Sequence, residues 1–180
     1  MKKIVLGLII FSLVVGIIIF FLKPKPQQKA AQTKRDSEEQ MIQKNVELSP
    51  FPKIHASFAI FTNGTMRSFA APKYHTLSPN VFITAQQPNI VTVTVPNATW
   101  NEFFLSLPMR LNPECLTTGD DERFCNGPEG KMSFFINGVE DKRALIKPIK
   151  QGDSLLVTFG NETKEQIQSQ ISKIPKLPQN

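Results

Sequence analysis

Residues 80–107 read NVFITAQQPNIVTVTVPNATWNEFFLSL and decide the fold class. Two apolar runs, residues 80–85 and 90–95, flank the turn-forming segment Gln-Gln-Pro-Asn, and valines alternate with threonines in the second run. This two-residue period predicts a half-buried strand, so the two runs predict a β-hairpin. Thr99 and Glu102 then form a capping box, which predicts a short helix that ends near Leu107, before a proline.

Three more strands are predicted, one before this segment and two after it. Asn63-Gly64 follows the first of them and favours a tight hairpin turn, with a partner strand beginning near Met66. Asn137-Gly138 ends the second, and the turn Gln151-Gly152-Asp153 introduces the third. The three predicted strands are Ile54 to Phe61, Lys131 to Ile136 and Ser154 to Phe159.

A C-terminal helix is predicted to dock on the sheet. Thr163 and Gln166 form a second capping box, and Ile167, Ile171 and Ile174 recur on one helical face. Strands, a short helix and more strands predict an α+β domain, with an antiparallel or mixed sheet covered on one face. Within that class we expect a β-grasp-like arrangement.

Residues Ile4 to Leu22 predict an N-terminal transmembrane helix. These 19 residues are uncharged, and as a helix they are roughly 28 Å long, close to the thickness of a bilayer core. A cleaved signal peptide is the alternative, but its apolar region is shorter and small residues follow it, whereas Phe20-Phe21-Leu22-Lys23 stands here. We therefore expect an uncleaved signal-anchor and a single span.

The orientation of the anchor rests on opposing signals. Two basic residues precede the span and five follow it closely, which by the positive-inside rule favours a cytoplasmic domain. Large domains that follow a span are translocated largely regardless of charge, and a Met-Lys-Lys start is typical of export signals. We expect a single-pass protein of the cell membrane with its globular domain outside the cytoplasm.

The composition divides the chain into four parts. Residues 23–50 are rich in Lys, Gln, Glu and Pro and predict a flexible polar linker, although residues 28–43 contain helix formers and could form a short helix or an oligomerisation segment. The expected order is a signal-anchor at 1–22, the linker at 23–50, an α+β domain at 51–174 and a disordered tail at 175–180.

The formal charge of +6 does not indicate nucleic-acid binding. Seven of the 21 basic residues lie in the first 35 positions, where no acidic residue occurs, and the remaining 14 face 15 acidic residues. The basic strip beside the apolar segment instead favours contact with anionic lipid headgroups. The partners we expect are the membrane and a protein or small ligand, and no nucleic acid.

Cys115 and Cys125 enclose a turn-forming segment, so their thiols could face each other across a hairpin. In an oxidising compartment a disulfide is the default. A redox or zinc role is the weaker alternative, because there is no Cys-x-x-Cys and no second pair or adjacent His.

Other candidate residues have plainer explanations. His55 and His75 have no convergent partners in the sequence, and the acidic residues Glu114, Asp120, Asp121 and Glu122 lack the spacing of a calcium loop. No catalytic residue, metal ligand or cofactor-binding residue is therefore predicted. Asn63, Asn97 and Asn161 each begin an N-glycosylation triplet and are possible glycosylation sites.

Two motifs resemble the C-terminal half of transcobalamin-like β-grasp domains. These are residues 134–138, Phe-Phe-Ile-Asn-Gly, and residues 147–155, Lys-Pro-Ile-Lys-Gln-Gly-Asp-Ser-Leu, followed by Phe159-Gly160. In those domains an aromatic strand ends in Asn-Gly and a Gly-Asp turn opens the last strand. The resemblance covers about 30 residues and implies a β-grasp-like fold.

Residues 57–171 are also similar, in the order of their elements, to an uncharacterised family of single-pass membrane-anchored proteins of archaea and candidate bacterial phyla. The helix at 100–104 and the cysteine pair carry this likeness. Two His-x-His pairs lie on the central hairpin of that family. The matching positions here hold no histidine, so the resemblance implies no metal site; they are Phe82, Thr84, Thr92 and Thr94.

These features predict a non-enzymatic protein without a cofactor. The anchor, the linker and the lack of a catalytic motif favour a membrane-anchored extracytoplasmic binding or assembly module that contacts its partner through a sheet edge or loops. The alternative, suggested by the cysteines and by the family's histidines, is a metal-binding or thiol-active envelope protein.

Overall fold

The computed structural model describes residues 35–42, 44 and 51–177. The chain divides into two units, Met1–Gln40 and Met41–Asn180. Residues 35–42 and 44 are helical and are called α1, in agreement with the helix-forming composition of residues 28–43. No helix within the described part of the chain is long and apolar enough to cross a membrane, and the predicted anchor at 4–22 lies outside it.

An α+β domain with two sheets occupies the rest of the described chain. In chain order its elements are β1 (Ile54–Thr62), β2 (Thr65–Met66), a 3-10 turn (Pro72–Tyr74), β3 (Val81–Phe82), β4 (Ile90–Val93), α2 (Trp100–Ser106), β5 (Arg110–Leu111), β6 (Cys115–Thr117), β7 (Arg123–Cys125), β8 (Lys131–Ile136), β9 (Val139–Glu140), a second 3-10 turn (Ala144–Ile146), β10 (Ser154–Gly160) and α3 (Lys164–Ser172).

The larger sheet is mixed and has seven strands in the order β3-β4-β1-β10-β8-β9, with β2 also paired to β1. Its two central strands, β1 and β10, run parallel in a register that places Ser57 opposite Ser154, while the other pairs are antiparallel. The smaller sheet is antiparallel, in the order β5-β6-β7. The sequence predicts the mixed α+β class correctly.

The sheet is covered on both faces, not on one as predicted. On β1, Phe58 and Ile60 face the larger core, where Phe58 packs edge-on against Phe103 of α2 at 5.0 Å. The alternate residues Ala59 and Phe61 face the opposite side and pack against α3. Central strands buried on both faces are continuously apolar, and this is the pattern of β1 and β10.

The strand predicted at 90–95 is present as β4, but the prediction that it is half-buried is wrong, because the sheet is covered on both faces. All four residues of β4 are buried, including Thr92. The hydroxyl of Thr92 lies 3.3 Å from Nδ1 of His55, and the hydroxyl of Thr94 donates to the carbonyl of Pro79 at 2.7 Å. The threonines can be buried because each has a hydrogen-bond partner.

Both predicted capping boxes are present, and they begin α2 and α3. The hydroxyl of Thr99 accepts from the amide of Glu102 and that of Thr163 from the amide of Gln166, each with the reciprocal bond. Ile174 is buried against the sheet, with Ile167 and Ile171 packed beside it, as the helical spacing predicts.

Candidate functional site

A disulfide and a hydrogen-bonded turn hold the hairpin formed by β6, β7 and the turn between them. Cys115 lies directly opposite Cys125 in the register, and the two form a disulfide with 4.1 Å between their Cα atoms. This confirms the predicted disulfide. In the turn the Thr118 hydroxyl accepts from the amides of Asp120 and Glu122, while Asp121 has a positive φ of 62°. The hairpin is therefore fixed at both ends.

The turn of this hairpin covers a cleft of about 210 Å³, which we call the hairpin cleft. Its floor is apolar and comes from β1, β6, the first 3-10 turn with the segment before it, and the chain between α2 and β5. Its rim is polar and comes from the hairpin turn and the chain after β2. The lining residues are Ile60, Phe69, Tyr74, Met109 and Leu116 on the floor, and Arg67, Ser68, Thr118, Gly119 and Asp120 on the rim.

Two ion pairs join the hairpin turn to the chain that follows β2. Arg67 contacts Glu122 at 2.5 Å, and Lys73 contacts Asp120 at 2.5 Å while also donating to the carbonyl of Gly119 at 3.1 Å. The hydrogen bond that Lys73 donates to Asp120 raises the pKa of Lys73 above its usual value. These two ion pairs therefore hold the acidic turn over the cleft.

Arg67 has two further contacts besides its ion pair, one to β1 and one to β7 of the hairpin. Its Nε donates to the Thr62 hydroxyl at 2.7 Å, and its guanidinium lies over the Phe124 ring, 4.9 Å from the centroid. A guanidinium held by a hydrogen bond and a ring face loses little side-chain freedom on pairing.

Gly119 and Tyr74 form the tightest contact of the cleft. A Cβ atom placed on Gly119 would lie 2.8 Å from the carbonyl oxygen of Pro108 and 2.8 Å from the phenolic oxygen of Tyr74. Tyr74 is itself buried, and its ring packs edge-on against Phe69 at 5.1 Å. Only a residue without a side chain lets the turn approach this closely.

The arrangement is suited to binding. An apolar floor supplies contact area, and an arginine, an aspartate, a threonine and a serine on the rim can fix the orientation of a ligand through hydrogen bonds. The volume is below that of a cleft for a drug-sized molecule, so it fits a small ligand or one side chain of a partner protein.

Both histidines lie away from this cleft's rim and have structural contacts. His75 is buried, and its Nε2 lies 2.9 Å from the carbonyl oxygen of Phe69, while His55 contacts Thr92. Within residues 35–42, 44 and 51–177, no three His, Cys, Asp or Glu side chains are grouped closely enough to hold a metal ion. The four positions that match histidines in the similar family lie on or beside the paired β3 and β4. They are Phe82, Thr84, Thr92 and Thr94.

The three possible glycosylation sites are exposed, and two of them lie in turns. Asn63 and Asn97 have positive φ angles of 50° and 59°, and Asn161 donates through its side-chain amide to the carbonyl of Glu129 at 3.3 Å. Their use as glycosylation sites stays a prediction.

The two motifs behind the β-grasp resemblance meet in the structure. The side chain of Asn137, in the turn after β8, donates to Asp153 at 2.9 Å and accepts from the amide of Ser154 at 2.8 Å. Asp153 is buried and also accepts from the amide of Lys150 at 2.9 Å. The pair ties the two turns at one end of the sheet and serves the fold.

Arg67, Lys73, Tyr74 and Gly119 were not predicted as site residues. The acidic turn was singled out, but as a solvated loop. Residues 67–74 and 118–122 are about fifty positions apart. The one signal that relates them is that the first segment carries basic residues and the second carries acidic residues. No protein-family model matches the chain, and no match was found among curated proteins or among solved structures.

Proposed function

We propose that this protein is a membrane-anchored extracytoplasmic binding or assembly module, and that the hairpin cleft is its ligand site. The observation that carries the proposal is a cleft with an apolar floor and a polar rim, closed by a disulfide-bonded hairpin and two ion pairs. A disulfide suggests an oxidising compartment, which supports a domain outside the cytoplasm. The apolar segment at 4–22 supports an anchor.

We further propose that the domain is β-grasp-like. In that arrangement a helix follows the first strands, and the last strand lies parallel to the first in the middle of the sheet. The order β4-β1-β10-β8-β9, with α2 between β4 and β8, supports this proposal. The contact between Asn137 and Asp153 supports the resemblance of the two motifs that contain them.

Binding is tested on the full chain in detergent with a panel of small aromatic and aliphatic carboxylates and amines, using thermal shift and saturation-transfer NMR. We expect hits that are lost in Ser68→Phe, which places a ring in the hairpin cleft. Ser78→Phe is the matched control, because each serine accepts a hydrogen bond from the amide two residues on. Hits that survive Ser68→Phe, or a panel without hits, contradict the ligand site.

Topology is tested in intact cells with a membrane-impermeant maleimide. We expect Cys115 and Cys125 to be labelled only after reduction, because the two are bonded and face the outside. Labelling that requires lysis places the domain in the cytoplasm and overturns the extracytoplasmic assignment.

A further inference from the structure

The segment that follows β9 concentrates basic residues. Residues 142–150 read KRALIKPIK and contain four basic residues and no acidic residue. From residue 36 onward, the other ten basic residues are outnumbered by 15 acidic residues. The positive charge of this segment is therefore a local feature. Its four basic residues are all exposed, and they are Lys142, Arg143, Lys147 and Lys150.

A 3-10 turn presents an isoleucine among these basic residues. The amide of Ile146 donates to the carbonyl of Arg143 at 3.2 Å, and side chains three positions apart in such a turn lie on the same side. Ala144 and Leu145 are buried in the larger core and fix the turn to the domain, whereas Ile146 is 68% exposed. Arg143 and Ile146 therefore project from the domain together.

The acidic residues near this turn leave its positive charge in excess. Asp141 forms an ion pair with Lys147, and its side chain is only 18% exposed. Glu140 lies opposite Phe135 in the sheet and shares its face, which is the face that packs against α3. Glu102 belongs to the capping box of α2. Against Asp141 and Glu102, the four basic residues leave a net charge of +2.

These residues form a surface that reaches the end of the domain at which the chain enters it. The amide of Gly152 donates to the carbonyl of His55 at 2.9 Å, so the turn after Lys150 lies beside the start of β1. Lys53, which is also exposed, directly precedes β1. We call this surface the basic surface, and it consists of Lys142, Arg143, Ile146, Lys147 and Lys150.

The chemistry of the basic surface fits a bilayer better than a protein. Basic side chains around an exposed apolar side chain can contact anionic lipid headgroups while the apolar group enters between them. A stable protein interface needs a core of several apolar side chains, and the basic surface has one. The chain enters the domain from the side of the proposed anchor at 4–22, so a weak contact with the same bilayer is strengthened by the tether.

We propose that the basic surface rests on the headgroups of an anionic bilayer and that Ile146 inserts between them. This proposal rests on the anchor of the proposed function, because the anchor supplies the nearby membrane. The contact also keeps the hairpin cleft away from lipid. Ile60, on the floor of that cleft, and Ile54, at the start of β1, are roughly 20 Å apart along the strand.

The test uses the full chain in nanodiscs of phosphatidylcholine alone or of phosphatidylcholine with phosphatidylglycerol. An Ile146→Cys variant carries a bimane label, since the two native cysteines are bonded to each other, and lipids with a nitroxide on the headgroup quench the label on contact. We expect quenching to be roughly threefold stronger in the anionic discs and to be lost in high salt. Met66→Cys is the matched control, because Met66 is exposed at the far end of β1 and its label should stay unquenched.

Charge reversals separate the basic surface from the total charge of the chain. Lys142→Glu with Arg143→Glu should reduce quenching of the label at position 146 to its level in neutral discs. Lys164→Glu with Lys173→Glu changes the total charge equally and should preserve the quenching, because both residues are exposed on α3, on the other face of the sheet. Neither pair should affect ligand binding in the hairpin cleft.

Equal quenching in the two kinds of disc, no quenching, or quenching that survives Lys142→Glu with Arg143→Glu overturns the proposal. Poly-glutamate that binds the wild type but not this variant, without quenching, assigns the surface to an acidic protein and also overturns it. A chain that separates from the discs in high salt contradicts the anchor and the proposed function. A chain that stays with the discs without quenching contradicts the lipid contact alone.

Discussion

Gly119 is the residue at which the acidic turn and the body of the domain approach most closely. Gly119→Ala should destabilise the domain by about 1–3 kcal/mol, since the new methyl group meets the backbone of Pro108 and the buried Tyr74. Gly127→Ala is the matched control, because its Cβ would meet nothing nearer than 3.8 Å, and we expect under about 0.5 kcal/mol. Urea denaturation under non-reducing conditions measures both, and equal losses would contradict the close approach.

Asp141 gives the domain a pH-dependent contact. Hydrogen bonds from Lys147 and from the amide of Arg143 lower the pKa of Asp141, so its contribution to stability is present above the pKa of the unfolded chain and is lost as the pH falls through the folded value. Below about pH 4, Asp141→Asn should lose less stability per pH unit than the wild type.

Thermal denaturation between pH 3 and pH 7 checks this expectation for Asp141. Glu140→Gln is the neighbouring control, because Glu140 is exposed and forms no ion pair with another described residue. A slope for Asp141→Asn that equals the wild-type slope would show that the contact with Lys147 contributes nothing in solution.

Single residues also show where prediction from sequence ends. The capping residues Thr99 and Thr163 were predicted because their partners lie three positions away. Arg67 and Lys73 meet partners 55 and 47 positions away, and such contacts are set by how the sheets pack, which no local pattern encodes. The hairpin cleft was therefore not predicted, although the hairpin that closes it was.

At the scale of elements, the disulfide is expected to act mainly on the β6–β7 hairpin. Cys115→Ser with Cys125→Ser should lower the free energy of unfolding by roughly 2–3 kcal/mol, since the bond closes a short loop. In this variant, hydrogen exchange should be faster at the amides of β6 and of its turn than at the amides of β1. Wild-type protein treated with a phosphine reductant should behave like the variant, and hairpin exchange that stays as slow as in the oxidised protein would refute this role.

The strands found from sequence were those with a long apolar run and a clear turn. β1, β8 and β10 match their predicted ranges within one residue. β3 was predicted over residues 80–85 but pairs only at Val81 and Phe82. The smaller sheet was not predicted beyond its hairpin, because strands of two or three residues are too short for an alternating pattern.

At the scale of the whole domain, both cores share β1 and β10, so we expect a single unfolding transition. Trp100 is the chain's one tryptophan and is fully buried on the α2 side, whereas Ile174 is buried on the α3 side. Ile174→Ala should cost about 2–4 kcal/mol and should shift the Trp100 fluorescence transition and the far-ultraviolet circular dichroism transition together.

Ile146→Ala is the control for this substitution, because Ile146 is 68% exposed and its truncation should cost under about 0.5 kcal/mol. A circular dichroism transition that precedes the fluorescence transition in Ile174→Ala would show that α3 unfolds separately from the larger core.

The parallel pairing of β1 with β10 has a consequence for how the protein matures. Ser57 and Ser154 are opposite each other in the sheet, but they belong to β1 and β10, the first and the last strands to be synthesised. The centre of the sheet can close only after residues 154–160 have left the ribosome, whereas Cys115 and Cys125 can meet as soon as their short hairpin has been made. A chain exported during synthesis would therefore acquire its covalent bond first and its central strand pair last.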